Sequence, residues 1–140
     1  MEEEPTLKYC FIMRGIPGSG KSTVAKRLKG TDGVVHSTDS YFINDEGEYV
    51  FDKQLLGRHH QLNYQAFCTS IDEGTECVIV DNINLTDKEY KKYQNYATKK
   101  GYIVSFVILP MIPASVAAER NTHSCPESEI AQIIKKWKKM

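Results

Sequence analysis

The sequence predicts an α/β fold, a small parallel sheet of about four strands with helices on both faces. Three observations predict it. Short apolar runs alternate along the chain with longer segments of helical periodicity. Each run is separated from the next by one such segment, the kind of crossover that parallel strands need. The 140 residues, 41% hydrophobic and 26% charged, are enough for one compact domain with an ordinary core. The expected organisation is a single domain over residues 1–140, with residues 1–6 as a loose acidic start.

Tyr9-Cys-Phe-Ile-Met13 reads as the first strand, followed by a Gly-rich turn and a helix from Ser22 to Lys29 that stops at Gly30. Val34-Val35-His36-Ser37 is a second, short strand ending at Thr38-Asp39, and Asn44-Asp45-Glu46-Gly47 is a turn. From Asp52 to about Asp72, Leu55, Leu56, Leu62, Ala66, Phe67 and Ile71 recur at helical spacing, with Gly57 weakening the first turn. Cys77-Val-Ile-Val80 is a buried strand ending in Asp81. Thr86 and Glu89 have capping-box spacing at the head of a helix that closes at Gly101, with Leu85 and Tyr90 placed as a hydrophobic staple. Tyr102 to Leu109 is apolar nearly throughout and reads as a strand covered on both faces. The last helix begins near Pro126 and carries Ile130, Ile133, Ile134 and Trp137 on one side.

Lys and Arg total 18, as do Asp and Glu, so the chain as a whole is not a polycation. The balance is uneven: 8 basic and 13 acidic residues lie in 1–85, against 10 basic and 5 acidic in 86–140. An anionic polymer would meet the C-terminal portion, unless those lysines are only solvated helix faces. Cys10, Cys68, Cys77 and Cys125 are scattered singly and read as reduced thiols. The N-terminus lacks the pattern of a secretory signal, and the apolar run from Ile103 to Pro113 is too short to span a bilayer. A cytoplasmic or nuclear location, without a membrane partner, is expected.

Gly15-Ile16-Pro17-Gly18-Ser19-Gly20-Lys21-Ser22 fits the P-loop pattern G-x-x-x-x-G-K-[ST] and lies after a strand and before a helix, as that motif requires. The bare pattern arises by accident in a chain this long on the order of once in 200. Its backbone N–H groups and the positive end of the following helix suit a triphosphate, Lys21 supplies a charge between the β- and γ-phosphates, and the Ser22 hydroxyl suits Mg²⁺. With Thr23, these residues form the expected ATP cradle in a P-loop NTPase or kinase fold.

Asp81, at the end of an apolar strand, is placed to hold Mg²⁺ beside Ser22, or else to make a turn with Asn82-Ile83-Asn84. Asp39 would project over the same sheet edge as a base for an acceptor hydroxyl, the structural alternative being an Asx turn at Ser40-Tyr41. Arg120 lies before the final helix, where a lid could bring its guanidinium onto the phosphates; an unpaired surface arginine is the alternative. His36, His59, His60 and His123 show no metal spacing, so no zinc site is assigned.

Arg14-Gly-Ile-Pro-Gly-Ser-Gly-Lys-Ser22, Ser37-Thr-Asp-Ser-Tyr-Phe42, Asp81-Asn-Ile-Asn-Leu85 and Glu119-Arg-Asn121 together resemble the polynucleotide-kinase-like branch of P-loop kinases. Within it the chain is most similar to the kinase-like domain of eukaryotic proteins that bind a HECT-type ubiquitin ligase, and more distantly to the kinase domain of bacteriophage 5′-hydroxyl polynucleotide kinase. The resemblance implies that Lys21 and Ser22 hold ATP and Mg²⁺, that Asp39 is the general base, and that Arg120 belongs to the lid. It also marks a departure. The phage enzyme has an acceptor-site arginine where this chain has Phe42 and a second lid arginine where it has Ser124, so Tyr41 and Phe42 are expected to stack on a base instead.

The function expected is transfer of the γ-phosphoryl group of ATP, with Mg²⁺, to a hydroxyl, the 5′ end of DNA or RNA being the acceptor. The alternatives are a kinase for a small alcohol or nucleoside, and a nucleotide-binding interaction module with little catalysis. The absence of N-K-x-D and D-x-x-G sequences argues against a GTPase switch.

Overall fold

The computed structural model describes residues 6–121 and 125–138. The Glu2–Glu4 start, His123, Ser124 and Lys139 lie outside the described residues, as does the side chain of Lys138. Four parallel strands, β1 (Tyr9–Arg14), β2 (Val34–His36), β3 (Cys77–Asp81) and β4 (Ile103–Ile108), form one sheet in the order β2-β3-β1-β4. The helices are α1 (Lys21–Lys29), α2 (Leu56–Asp72), α3 (Asp87–Lys99), α4 (Ala114–Arg120) and α5 (Glu127–Lys138).

Residues in β1 and β3 alternate between two cores, as a pleated strand buried on both faces requires. Cys10, Ile12, Val78 and Val80 pack with Phe67 and Ile71 of α2 and with Tyr93 and Ala97 of α3. Met13 and Ile79 point the other way, onto Ala25 of α1. Each such aliphatic side chain, when fully buried, stabilises the fold by about 1.5–3 kcal/mol. A third cluster joins Ile16 to Ala117 of α4 and Ile130 of α5, fastening the loop after β1 to the C-terminal helices.

The connections fix the position of the site. From β1 the chain crosses to the edge strand β2, and from β3 it crosses past β1 to β4. The adjacent strands β1 and β3 therefore send their chains in opposite directions, opening a crevice at their carboxyl ends. In the β1–β3 register Met13 pairs with Asp81, so the Asp81 carboxylate stands beside the root of the loop that begins at Gly15.

The structure corrects four expectations. β2 stops at His36, and Thr38–Phe42 is a 3₁₀ turn, so Asp39 sits in that turn rather than at a strand end. The segment before the last helix is itself helical: α4, bounded by Pro113 and Asn121, carries Arg120 in its last turn. It is a helix of 7 residues, too short for an apolar repeat to announce it. β4 pairs only with β1 and forms an open edge, leaving Phe106 and Ile108 partly exposed despite their apolar character. Finally, Phe42 is 4% exposed and wedged among Tyr49, Phe51 and His59, while the Tyr41 hydroxyl donates to the Leu62 carbonyl at 3.4 Å. Phe42 is part of the packing and has no free face on which to stack a base.

Candidate active site

The loop Gly15–Gly20 is shaped by its neighbours as much as by its own glycines. The Gly15 N–H donates to the Ile83 carbonyl at 3.2 Å and the Ser19 N–H to the Ile16 carbonyl at 3.1 Å. Arg14 ties the base of the loop to the chain beyond β3, donating from Nε to the Asn84 carbonyl at 2.9 Å and from Nη2 to the Leu85 carbonyl at 3.0 Å. Its guanidinium is held between the rings of Tyr90 and Trp137, each centroid 5.1 Å away. Asn84 adopts a left-handed conformation, φ 52°, and its side-chain amide donates to the Met13 carbonyl at 2.7 Å. Loop and strand end are thereby stitched into one unit.

Gly18 shows why the motif needs glycine where it does. Its φ is +80°, and a Cβ there would overlap the Ala117 carbonyl oxygen. α4 thus lies directly against the loop, and any side chain at position 18 would push it away.

α1 starts from Gly20, at φ 93°, with no side-chain cap and no acidic residue in its first turn. Its first N–H groups and the positive end of its dipole are available to an anion. Within the same turn, the Ser22 hydroxyl donates to Asp81 Oδ2 at 2.8 Å and the Lys21 ammonium stands 3.2 Å from Asp81 Oδ1. That Oδ1 accepts no aligned hydrogen bond although Asp81 is 5% exposed, so its one near partner is the Lys21 charge. A carboxylate and a hydroxyl 2.8 Å apart are hard oxygen ligands of the kind Mg²⁺ takes. The residues present fit that ion.

A cavity of about 990 Å³ opens beside Lys21 and Ser22, at the upper end of the range for small-molecule sites. Pro17, Gly18, Gly20, Lys21, Ser22 and Thr23 line it. Gly15 and Ile16 lie buried beneath, Ile16 as a core side chain, and the Ser19 hydroxyl is buried without a partner. Asp39 and Arg120, distant from the loop in sequence, line the same cavity. Ser22, Asp39 and Asp81 also border a smaller cavity of about 440 Å³ beside Lys26 and Lys29.

The wall facing the loop holds residues that motif reading did not reach. Tyr49 donates to Asp39 Oδ1 at 3.2 Å. Phe51 is 52% exposed, and Lys88 and Lys92, one turn apart on α3, line the same cavity. His60 lines the same wall with its Nδ1 2.9 Å from the Thr38 hydroxyl; burial, reinforced by the Lys92 charge, holds its pKa below the ordinary histidine value. The only signal in the sequence was the i, i+4 spacing of the two lysines, which an exposed helix face shows equally.

Sheet order, loop, uncapped helix and strand-end carboxylate define a kinase-like domain of the P-loop NTPase fold. Residues 11–124 match the AAA_33 family, an AAA domain, and the chain belongs to that family. It is 32% identical over 134 residues to human NEDD4-binding protein 2, a match covering 91% of this chain and 8% of that protein. The chain thus spans less than a tenth of the length of that relative. Among solved structures it superposes on a chain of the Pnkp1/Rnl/Hen1 RNA repair complex with a TM-score of 0.74 at 18% identity, covering 97% of this chain and 46% of that one. A gluconokinase from Sinorhizobium meliloti 1021 gives a TM-score of 0.59 at 18% identity, covering 94% of this chain and 76% of that one. At such identities the likeness is one of fold. Among the described residues, no helix is long and apolar enough to cross a membrane.

Proposed function

We propose that this domain is an ATP- and Mg²⁺-dependent phosphotransferase whose acceptor is the 5′-hydroxyl of a nucleic-acid end. The observation that carries the reading is the convergence of Lys21 and Ser22 on Asp81 at one side of a cavity that Asp39 and Arg120 also line.

In this reading the amides of the loop and of the first turn of α1 hold the phosphates of ATP, with Lys21 leaving Asp81 to meet the transferred group. Ser22 and Asp81 hold Mg²⁺, which when bound neutralises charge on the phosphates. Asp39 accepts the proton of the acceptor hydroxyl. The freed oxygen bonds to the γ-phosphorus as the bond to the β,γ-bridging oxygen breaks and ADP departs. Arg120, in the last turn of α4, meets the charge that develops on the phosphates.

Support for a nucleic-acid acceptor comes from the facing wall, where an exposed ring, Phe51, and two cations, Lys88 and Lys92, suit a base and its phosphates. One structural neighbour belongs to an RNA repair complex.

The test incubates the protein with γ-labelled ATP, Mg²⁺ and a panel of 5′-hydroxyl DNA and RNA oligomers, nucleosides and small alcohols. Label should appear on the oligomers. Asp39→Asn should lower kcat by roughly 10²–10⁴-fold with little change in affinity for a fluorescent ATP analogue, as expected on loss of a general base. Label confined to nucleosides or small alcohols would replace the acceptor assignment. ATP binding without any transfer would make the domain a binding module.

A further inference from the structure

Asp39 is not held by the turn that carries it alone. Beyond Phe42 the chain makes a tight excursion and comes back. The Asn44 side chain accepts from the N–H groups of Glu46 at 3.0 Å and Glu48 at 2.9 Å. The Asn44 N–H donates to the Glu48 carbonyl at 2.8 Å, the Val50 N–H donates to the Phe42 carbonyl at 2.8 Å, and Ile43 pairs with Tyr49 across the turn. The buried Phe42 ring then seats Tyr49 edge-on at 6.1 Å. From this seat the phenol donates to Asp39 Oδ1 at 3.2 Å. Burial and the neighbouring Asp39 charge push the Tyr49 phenol above its usual value, so it remains a proton donor throughout the neutral range.

We propose that Tyr49 is the positioning residue of Asp39, its hydrogen bond fixing the carboxylate in the orientation from which it meets the acceptor hydroxyl. The proposal rests on the reading of Asp39 as the base. A base acts only when its oxygen lies within about 2.6–3.2 Å of the proton that it takes. A carboxylate turns about two bonds, and a hydrogen bond to one of its oxygens restricts both. A donor delivered by a separate, self-braced excursion removes that freedom before the acceptor arrives. The ring packing and the hydroxyl are separable, because phenylalanine retains the first and lacks the second.

Three variants test this: Tyr49→Phe, Asp39→Asn and the two combined, each measured for single-turnover transfer, for affinity to a fluorescent ATP analogue and for thermal melting. Tyr49→Phe should melt like the wild type, bind the analogue equally well, and transfer about tenfold more slowly, a smaller loss than removal of the base itself. In the Asp39→Asn background the same change should have no further effect, because there is no base left to orient. Wild-type transfer by Tyr49→Phe, or losses that multiply in the double variant, would overturn the positioning role while leaving Asp39 as the base. Full transfer by Asp39→Asn would overturn the base and the positioning role together.

Discussion

α1 and α3 begin at the same edge of the sheet, after the adjacent strands β1 and β3, yet their first turns are built in opposite ways. α1 starts at Gly20 with no side-chain cap and no acidic residue. α3 caps itself: the Glu89 carboxylate accepts from the Thr86 N–H at 2.7 Å and from the Thr86 hydroxyl at 3.0 Å, and Asp87 adds a second acid. A missing cap costs a helix about 1 kcal/mol, so an open end beside a closed one keeps its amides for something outside the chain. At α1 the backbone is the binding group. At α3 the capping box already occupies part of the first turn, and Lys88 and Lys92 are the basic residues of the helix that line the cavity. The two halves of the cavity should therefore respond differently to mutation.

The largest effect falls at the open helix. Lys21→Ala removes the side-chain cation of the loop, and ATP affinity should fall together with transfer, the latter by on the order of 10³-fold. Ser22 still donates to Asp81 in that variant, so the carboxylate keeps a partner and the fold should persist. Normal transfer by a folded Lys21→Ala protein, measured with γ-labelled ATP, would break the distinction at its stronger end.

This contrast also explains what could be read from the residues alone. The loop at Gly15–Ser22 is local: spacing, glycines and flanking elements all lie within one stretch of sequence, and Asp81 follows once β3 is recognised as the neighbour of β1. The capping box at Thr86 is equally local. The facing wall is not. Tyr49 reaches Asp39 only because Asn44 turns the chain back, and Phe51, His60 and Lys88 line one cavity from separate parts of the chain. The resemblance puts Phe42 at the acceptor site, in place of the phage enzyme's arginine, but the 3₁₀ turn rotates it into the packing between Phe51 and His59. The strand from Tyr102 reads as covered on both faces because apolar runs report burial tendency and not position in a sheet; β4 lies at the edge, with Phe106 and Ile108 partly exposed.

An intermediate effect is expected from the charged face of the closed helix. Lys88→Glu combined with Lys92→Glu should raise the KM for a 5′-hydroxyl oligonucleotide about tenfold and flatten its dependence on salt, because fewer phosphate contacts release counterions. ATP affinity should change little. Reversal of Lys135 and Lys136, exposed on α5 and outside the cavity lining, should move KM less. Steady-state kinetics at two ionic strengths make the comparison, and an unchanged KM in the Lys88/Lys92 variant would point to an uncharged acceptor.

The smallest effect isolates the cap itself. Thr86→Ala removes the hydroxyl that donates to Glu89 at 3.0 Å but leaves the Thr86 backbone N–H, which still bonds the same carboxylate. Half of the reciprocal arrangement therefore survives, and the loss should be about 1 kcal/mol of folding stability, at the ordinary value for an N-cap deletion. Because no phosphate is expected at this helix end, affinity for a fluorescent ATP analogue should stay at the wild-type value. Urea unfolding and nucleotide titration on the same preparation separate the two quantities. A variant with unchanged stability and weakened nucleotide binding would mean that the first turn of α3, and not that of α1 alone, serves the phosphates.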